Sequence, residues 1–280
     1  MRVVVTGARG LLGAQIVSEF ERDCHVTAFD RARLDITDAS AVAVAVASAQ
    51  PDVIVNCAVY NGVDQAEEEP VQAFDANAFA VLGLARAAAT AGAVFVHYSS
   101  DFVFDGETDR PYSESDTPNP RSVYGASKLL ADLFALEYER SCILRVESLF
   151  GKPAPGGRRK GSVDGIVERI RAGDEVRVFT DRVVSPSYTP DVARATRALV
   201  EGRLPAGLYH CVNSGMGTWE EIAAHAAHVL GKPLRPVPIT LATANLRARR
   251  PRFCAMSNAK LVAAGVPMRT WQEALEEFLR

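Results

Sequence analysis

The segment "VVVTGARGLLGAQI" near the start of the chain constrains the fold more than any other stretch. A short β-branched run leads into glycines at positions 7, 10 and 13, and a helical pattern follows at once. Glycines in this order allow a tight turn, close approach of the backbone to a pyrophosphate and close helix packing, while the helix N-terminus attracts negative charge. The segment therefore predicts a dinucleotide-binding turn. Its predicted cofactor contacts are Gly7, Arg9, Gly10, Leu11, Leu12 and Gly13.

The rest of the chain alternates further β-branched runs with Ala-rich helical patterns. The runs are "HVTAFD", "PDVIVNCA", "AVFVHYSSD" and "CILRVES". Continuous apolar strands separated by helices predict an α/β fold, a Rossmann-type doubly wound parallel sheet. After residue 150 a Gly/Pro-rich basic stretch, "GKPAPGGRRKG", interrupts this pattern. We expect residues 1–150 to form an NAD(P)-binding Rossmann domain. Residues 151–280 should partly complete the sheet and form a small C-terminal substrate-binding lobe.

The charge and composition of the chain limit the kinds of partner that it is expected to bind. The 280 residues carry a formal net charge of only −3, which gives no general attraction to nucleic acid or to a membrane. The five cysteines are scattered and form no CxxC pair, which argues against a disulfide framework or a zinc site. The first apolar run is too short for a signal peptide or a membrane span. These features predict a cytoplasmic protein that acts on a small molecule.

Two signals conflict on the choice of cofactor. Asp30 ends the second predicted strand, where a carboxylate binds the adenosine ribose of NAD. Arg9, Arg31 and Arg33 lie nearby, and guanidinium groups suit the 2′-phosphate of NADP. We expect both cofactors to bind, with NADPH preferred.

Further cofactor contacts are predicted along the strand ends. Asp35 either faces the adenine or caps a helix. Asn77 either supports the cofactor site or bridges backbone groups. The predicted set is Asp35, Ile36, Cys57, Ala58, Tyr60 and Asn77.

The stretch "SVYGASKLL" places Tyr124 and Lys128 four residues apart. On a helix this spacing puts both side chains on one face. The pair is either a solvated helix surface or a proton-transfer device, and the spacing alone leaves both open.

With "TGARGLLG", "SSDFVFDG" and "YGASK", the sequence resembles the extended short-chain dehydrogenase/reductase family. The strings "PYSESDTPNPRSVYGASKL", "GLYHCVNSGMGTWEEIA" and "RARRPRF" are similar to its dTDP-4-dehydrorhamnose reductase branch. That resemblance implies an oxidoreductase that reduces the C4 ketone of a nucleotide-linked deoxyhexose with a nicotinamide cofactor. It also implies a nucleotide-sugar substrate and allows a homodimer.

The resemblance assigns catalytic roles that suit this chemistry. Hydride adds to a carbonyl only as the oxygen gains a proton, so a proton donor and a second hydrogen bond are needed. Tyr124 would be the donor, and Lys128 would lower the pKa of its phenol and hold the nicotinamide ribose. Ser100 would hydrogen-bond the substrate oxygen, although a turn cap is its alternative role.

The sequence departs from the branch at residues expected to contact substrate. The branch usually has Arg-Thr-Ser-Trp-Val-Tyr-Gly where this chain has "RVESLFG", so Ser148 stands in place of Trp and an aromatic ring is lost. Phe102 replaces the usual Tyr and lacks its hydroxyl. Such changes redirect specificity without altering the reduction. Arg249 and Arg250 are predicted to bind the substrate phosphates.

A further departure concerns metal. The branch often has a Glu that takes part in a Mg²⁺-linked dimer contact, and Gln15 stands at that position here. We therefore predict no metal site.

Two other functions remain open at this stage. A sugar-nucleotide epimerase on the same fold needs only reversible hydride transfer. A non-catalytic NADP-binding subunit, like the regulatory β subunit of methionine adenosyltransferase, could keep the same motifs.

Overall fold

The computed structural model describes residues 1–152, 161–202 and 204–280. Within them the strands are β1 (Arg2–Thr6), β2 (His25–Phe29), β3 (Val53–Asn56), β4 (Val94–Ser100), β5 (Ser141–Val146), β6 (Leu149–Phe150), β7 (Val176–Phe179), β8 (Val183–Val184), β9 (Ser187–Tyr188), β10 (Gly207–His210), β11 (Gly217–Thr218) and β12 (Pro236–Ile239). The α-helices are α1 (Leu11–Phe20), α2 (Ala39–Ala49), α3 (Val63–Ala66), α4 (Pro70–Phe74), α5 (Ala80–Ala91), α6 (Val123–Leu136), α7 (Ser162–Ala172), α8 (Thr189–Glu201), α9 (Trp219–Leu230), α10 (Ala259–Ala263) and α11 (Trp271–Leu279).

The central sheet has six strands in the order β10-β5-β4-β3-β1-β2, and all neighbours are parallel. Every residue of β3 and β5 is buried, because helices cover both faces, and this explains their continuous apolar runs. The prediction of a doubly wound parallel sheet is confirmed. After β1 the chain forms β2 on one side of β1 and then crosses over to form β3 on its other side. The crevice at the carboxyl ends of β1 and β3 is thus the place where such sheets bind ligands.

The C-terminal half contributes to two cores. β10 pairs with β5 and α8 packs on α1, so both complete the main sheet. Helices α7, α9 and α11 pack instead around a separate core that includes Ile170, Ile222 and Trp271. The strands β7 and β12 pair in parallel beside that core. We call the structure around this second core the lobe.

The helical segment over residues 70–91 is interrupted. It divides into α4, a π-helical turn at Asp75–Phe79, and α5. π-turns inside helices often occur at functional sites. This one contains Asn77, whose buried amide reaches the loop after β3.

No helix among the described residues is long and apolar enough to cross a bilayer. The basic loop residues Arg158, Arg159 and Lys160, which could also contact phosphate, lie outside the described residues.

Candidate active site

A cavity of about 420 Å³ opens at the carboxyl ends of the central strands, between the main sheet and the lobe. Twelve of the residues predicted from the sequence line it: Gly10, Leu11, Leu12, Gly13, Cys57, Ala58, Ser100, Phe102, Tyr124, Lys128, Ser148 and Arg250. The other predicted residues do not line it: Gly7, Arg9, Asp30, Arg31, Asp35, Ile36, Tyr60, Asn77 and Arg249. The fold thus brings the turn, the catalytic residues and part of the substrate set into one cavity.

The glycine turn is shaped by close backbone approach. Gly7 has φ of 65°, and a Cβ there would lie 2.6 Å from the backbone nitrogen of Ala58. A Cβ on Gly13 would lie 2.2 Å from the carbonyl oxygen of Gly7. Gly10 is the N-cap of α1 and makes no side-chain cap hydrogen bond, so the first N–H groups of the helix stay open to an anion. These features fit the pyrophosphate of a dinucleotide.

The charged residues predicted for the adenosine end lie outside the cavity, next to the turn. One oxygen of Asp30 accepts the backbone N–H groups of residues 32 and 33, both at 3.1 Å. Its other oxygen lies 3.6 Å from Arg9 Nη1. Arg31 and Arg33 are both exposed, and Arg33 donates to the carbonyl oxygen of residue 28 at 2.8 Å. Because this hydrogen bond occupies Arg33, Arg9 and Arg31 are better placed than Arg33 to meet a 2′-phosphate.

Asp35 does not cap a helix. Its carboxylate accepts the backbone N–H and the hydroxyl of Thr37, at 3.0 and 2.7 Å, and these bonds lower its pKa. Asp38 is the N-cap of α2. The side chain of Ile36 is buried in the core under the sheet. The helix-cap alternative for Asp35 was therefore wrong, because α2 begins three residues later than that alternative requires.

Asn77 acts as a bridge between backbone groups. Its amide oxygen accepts the N–H of Tyr60 at 2.8 Å, and its amide nitrogen donates to the carbonyl oxygen of Tyr60 and to Ser127 Oγ, at 3.1 and 3.0 Å. The Tyr60 hydroxyl donates to Glu69 at 2.6 Å. The side chains of Asn77 and Tyr60 thus stabilise the loop after β3 without lining the cavity themselves.

Tyr124 and Lys128 lie on α6 and are both buried. Ser122 caps this helix by accepting the N–H of Gly125 at 3.1 Å, which fixes where α6 begins. The ring of Phe102 packs edge-on against that of Tyr124, with centroids 5.5 Å apart. Burial raises the pKa of Tyr124, the charge of Asp101 raises it further, and a hydrogen bond with Ser100 opposes the rise. The phenol is therefore protonated at neutral pH, and the lowering expected from Lys128 is not seen.

Lys128 is turned toward β4. Its Nζ donates to the carbonyl oxygen of Tyr98 at 2.6 Å and lies 3.1 Å from His97 Nε2. Burial lowers the pKa of Lys128 to about 8.

A buried hydrogen-bond chain sets the tautomer of His97. The Asn56 amide oxygen accepts the N–H of Ala58 at 3.1 Å, so the amide nitrogen must face His97 Nδ1, also at 3.1 Å. Nδ1 is then an acceptor, and a neutral imidazole carries its proton on Nε2. In this arrangement Nε2–H faces Lys128 Nζ, and the contact disfavours the cationic form of Lys128. The contact between His97 and Lys128 was not predicted from the sequence, where the only signal is a polar residue inside an apolar strand.

Ser100 has the turn-cap role predicted as its alternative, and it also lines the cavity. Its Oγ accepts the N–H of Phe102 at 3.2 Å and so caps the 3₁₀ turn Asp101–Val103. The same hydroxyl donates to Asp101 Oδ1 at 2.8 Å while lining the cavity. The turn cap therefore holds the hydroxyl in the site.

Sequence reasoning also missed a polar cluster on the lobe side of the cavity. Asp101, Glu147 and Arg182 all line it. Burial raises the pKa of Glu147 to about 8, with a further contribution from the charge of Asp101. Burial likewise raises the pKa of Asp101 to about 6, opposed by Arg182. A charged residue directly after the apolar run "CILRV" was the available signal for Glu147.

The cluster also contains potential metal ligands. Among the described residues, Asp101, Glu147 and Cys254 each bring a potential ligand atom within 4.8 Å of the others. Arg182 donates to Cys254 Sγ at 3.1 Å, so a cation already lies against the sulfur. The expectation of no metal stays a prediction.

The aromatic surface of the cavity differs from the expected pattern. Ser148 has a left-handed backbone with φ of 44°, and its hydroxyl donates to Glu147 Oε1 at 3.0 Å. Trp219, at the start of α9, lines the same cavity, and its buried Nε1 has no hydrogen-bond partner. The lobe thus contributes an aromatic side chain to the cavity wall.

The two arginines predicted to bind phosphate have different positions. Arg250 lines the cavity and forms two hydrogen bonds with the carboxylate of Asp64, which lower the pKa of that carboxyl to about 2. Arg249 is exposed and lies outside the cavity. Arg250 is the better placed of the two.

Known proteins resemble this chain over nearly its whole length. The family described as RmlD substrate binding domain matches residues 1–280. A dTDP-4-dehydrorhamnose reductase of Streptomyces griseus is 38% identical over 99% of this chain and 92% of its own length. A probable dTDP-4,6-dihydroxy-2-methyloxan-3-one 4-ketoreductase of Streptomyces antibioticus is 34% identical over 99% of this chain and 94% of its own length.

The fold agrees as well. The solved structure of a dTDP-4-dehydrorhamnose reductase from Bacillus anthracis in complex with NADP superposes with a TM-score of 0.93. It is 32% identical, and the match covers 99% of this chain and 98% of that one. Because both the family match and these relatives span nearly the whole sequence, the chain belongs to the dTDP-4-dehydrorhamnose reductase family.

Proposed function

We propose that this protein is an NADPH-dependent oxidoreductase that reduces the C4 ketone of a nucleotide-linked 4-keto-deoxyhexose. The observation that carries the proposal is that Ser100, Tyr124 and Lys128 line one cavity with the first turn of α1. The family membership of the chain and the NADP complex of its Bacillus anthracis relative support it.

The residues have distinct roles in the reaction. Bound NADPH supplies the hydride that adds to the ketone carbon. Tyr124 donates its phenolic proton to the ketone oxygen, which becomes the new hydroxyl, and Ser100 hydrogen-bonds that oxygen. Tyr124 is protonated at neutral pH, and this is the form that a reductase needs. Lys128, in its cationic form, returns a proton to Tyr124 and holds the nicotinamide ribose.

The cofactor contacts divide into two groups. Gly7, Gly10 and Gly13 shape the pyrophosphate site, and Cys57 and Ala58 line the path beyond it. Arg9 and Arg31 favour NADPH at the adenosine end, while Asp30 still allows NAD.

The substrate contacts come from both halves of the chain. Phe102 and Ser148 lie in the first 150 residues, and Arg250 comes from the second half to bind a substrate phosphate. This supports a division into a cofactor domain, residues 1–150, and a segment, residues 151–280, that completes the sheet and supplies the substrate lobe.

The protein is further proposed to be a cytoplasmic homodimer. All five cysteines are free, which suits a reducing compartment. Leu133 and Leu136 on α6 are exposed, and Phe79 is exposed beside them and packs on Phe134 with centroids 6.1 Å apart. Light scattering of the purified protein checks the dimer: a monomer mass, or a dimer that survives Leu133→Lys, argues against this surface.

The experiment that tests the function is NADPH and NADH oxidation by the purified protein with dTDP-4-dehydrorhamnose. We expect rapid oxidation with NADPH and formation of the C4 alcohol. Tight NADPH binding without oxidation of any 4-keto sugar would overturn the proposal and favour a regulatory subunit. Interconversion of C4 epimers without net oxidation would favour an epimerase.

A further inference from the structure

We infer that Asp101, Glu147 and Arg182 form a subsite that selects a sugar with a free hydroxyl group on C3, the carbon next to the ketone. The inference rests on the proposed function, since it assumes that Ser100 binds the C4 oxygen. It assigns a specificity role to Glu147 and Arg182, which were not predicted from the sequence.

The first argument is spacing. Ser100 Oγ and Asp101 Oδ1 are 2.8 Å apart on the wall of the cavity. Oxygens on neighbouring carbons of a sugar ring are also separated by about a hydrogen-bond length. When the Ser100 hydroxyl turns from Asp101 to donate to the ketone oxygen, the substituent on the neighbouring carbon C3 can lie near the carboxylate of Asp101.

The second argument is an unsatisfied acceptor. Asp101 is 3% exposed, and its second oxygen, Oδ2, has no hydrogen-bond partner. A buried carboxylate oxygen without a donor is costly, and native proteins rarely keep one without a reason. A hydroxyl group on the substrate would provide the missing donor.

The third argument is the neighbouring cation. The Arg182 guanidinium is anchored through Nε to the carbonyl oxygen of Pro251 at 3.2 Å and through Nη2 to Cys254 Sγ at 3.1 Å. A hydroxyl group can donate to Asp101 and accept from Arg182 at the same time. A C3 methylene can do neither, and an ammonium group can only donate and would be repelled by Arg182.

Glu147 completes the subsite. Its carboxylate is fixed by the backbone N–H of Ser185 and by the hydroxyl of Ser148, so it cannot turn away from the cavity. It stands where the family usually has Ser, one residue before the position that has lost its Trp. A carboxyl group therefore lies on the cavity wall beside the position that lacks the ring.

The test compares kcat/KM for dTDP-4-dehydrorhamnose and for its 3-deoxy and 3-amino-3-deoxy analogues. The wild type should prefer the 3-hydroxy sugar by at least about 10³-fold, as sites built to pair a hydroxyl group do. Arg182→Gln and the Glu147→Gln, Arg182→Gln double variant should each reduce that preference to below about 10²-fold. The double variant tests the same subsite with the neighbouring carboxyl group removed as well. Glu139→Gln, the same change at an exposed position, should leave the preference unchanged.

The outcomes separate the two proposals. A cluster with only a structural role would lower kcat/KM for all three sugars equally, and this result would overturn the inference while the reductase function stands. Equal kcat/KM of the wild type for the 3-hydroxy and 3-deoxy sugars would likewise overturn the inference and leave the reductase function standing. Preference for the 3-amino sugar would also overturn it. Reduction of none of the three sugars would contradict both proposals.

Discussion

The cofactor side and the sugar side of the cavity are built in different ways. The cofactor side uses the turn after β1 and the start of α1, which are contiguous in the chain and made largely of backbone. The sugar side uses side chains from residues 101, 147, 182, 219 and 250, which meet only when the lobe packs on the sheet. A contiguous backbone site is encoded locally, whereas a site of scattered side chains depends on tertiary packing.

Tyr124→Phe tests the point where the two sides meet and should have the largest effect. Loss of the proton donor should lower kcat by about 10³-fold, while NADPH affinity is kept. Stopped-flow turnover and fluorescence titration with NADPH measure the two quantities. Tyr138→Phe is the control, since that hydroxyl only donates to the Ala93 carbonyl oxygen at 2.8 Å. Turnover that survives in Tyr124→Phe would mean that another group donates the proton.

Gly13→Ala tests the cofactor side alone. The new Cβ would lie 2.2 Å from the Gly7 carbonyl oxygen and must displace the turn. Overpacking of this kind costs about 1–3 kcal/mol, so the Kd for NADPH should rise about 30-fold by titration. Gly83→Ala is a matched control, because it also replaces a helix glycine but its new Cβ would meet nothing within 4 Å. An unchanged Kd in Gly13→Ala would show that the turn does not bind the cofactor.

The pH dependence of kcat tests Lys128. The cation is the form that returns a proton, and the pKa of Lys128 is lowered to about 8, so the cation is present below that pH and lost above it. Reduction should therefore slow by about tenfold per pH unit well above pH 8. If the hydrogen bonds from Asn56 through His97 favour the neutral amine, His97→Leu should raise the pH above which kcat falls. An unchanged pH in this variant would mean that His97 does not control the protonation of Lys128.

Glu147→Gln tests the sugar side without substrate. The pKa of Glu147 is raised from about 4.5 unfolded to about 8 folded, so the folded protein binds more protons and the wild type loses stability as pH rises through that window. The glutamine side chain does not ionise, so the variant does not lose this stability. The Tm of the variant minus that of the wild type should therefore increase by about 3 °C or more between pH 5 and pH 8. Parallel Tm curves would mean that Glu147 ionises as freely in the folded state as in the unfolded one.

Arg31→Ala should have the smallest effect. The KM for NADPH should rise about fivefold, as expected for an exposed ion pair, and the KM for NADH should not change. Arg22→Ala, another exposed arginine that pairs with Glu19, is the control. Equal changes for both cofactors would mean that Arg31 does not contact the 2′-phosphate.

The two sides were predictable to different degrees. The glycine turn, the alternation of strands and helices and the pair Tyr124 and Lys128 follow from short-range patterns, because each depends on spacing within one element or between neighbouring elements. Glu147 and Arg182 lie 35 positions apart on different elements, so no local pattern relates them. The role of His97 depends on which ring nitrogen faces Asn56, and only the packed structure fixes that.

The backbone at Ser148 has a consequence for how this family can change. A left-handed φ of 44° is unfavourable for a bulky side chain, and Ser148 also donates to Glu147. A change to Trp at position 148 would strain the backbone and remove that hydrogen bond together. An aromatic ring at this position is therefore best accommodated when residue 147 changes with it.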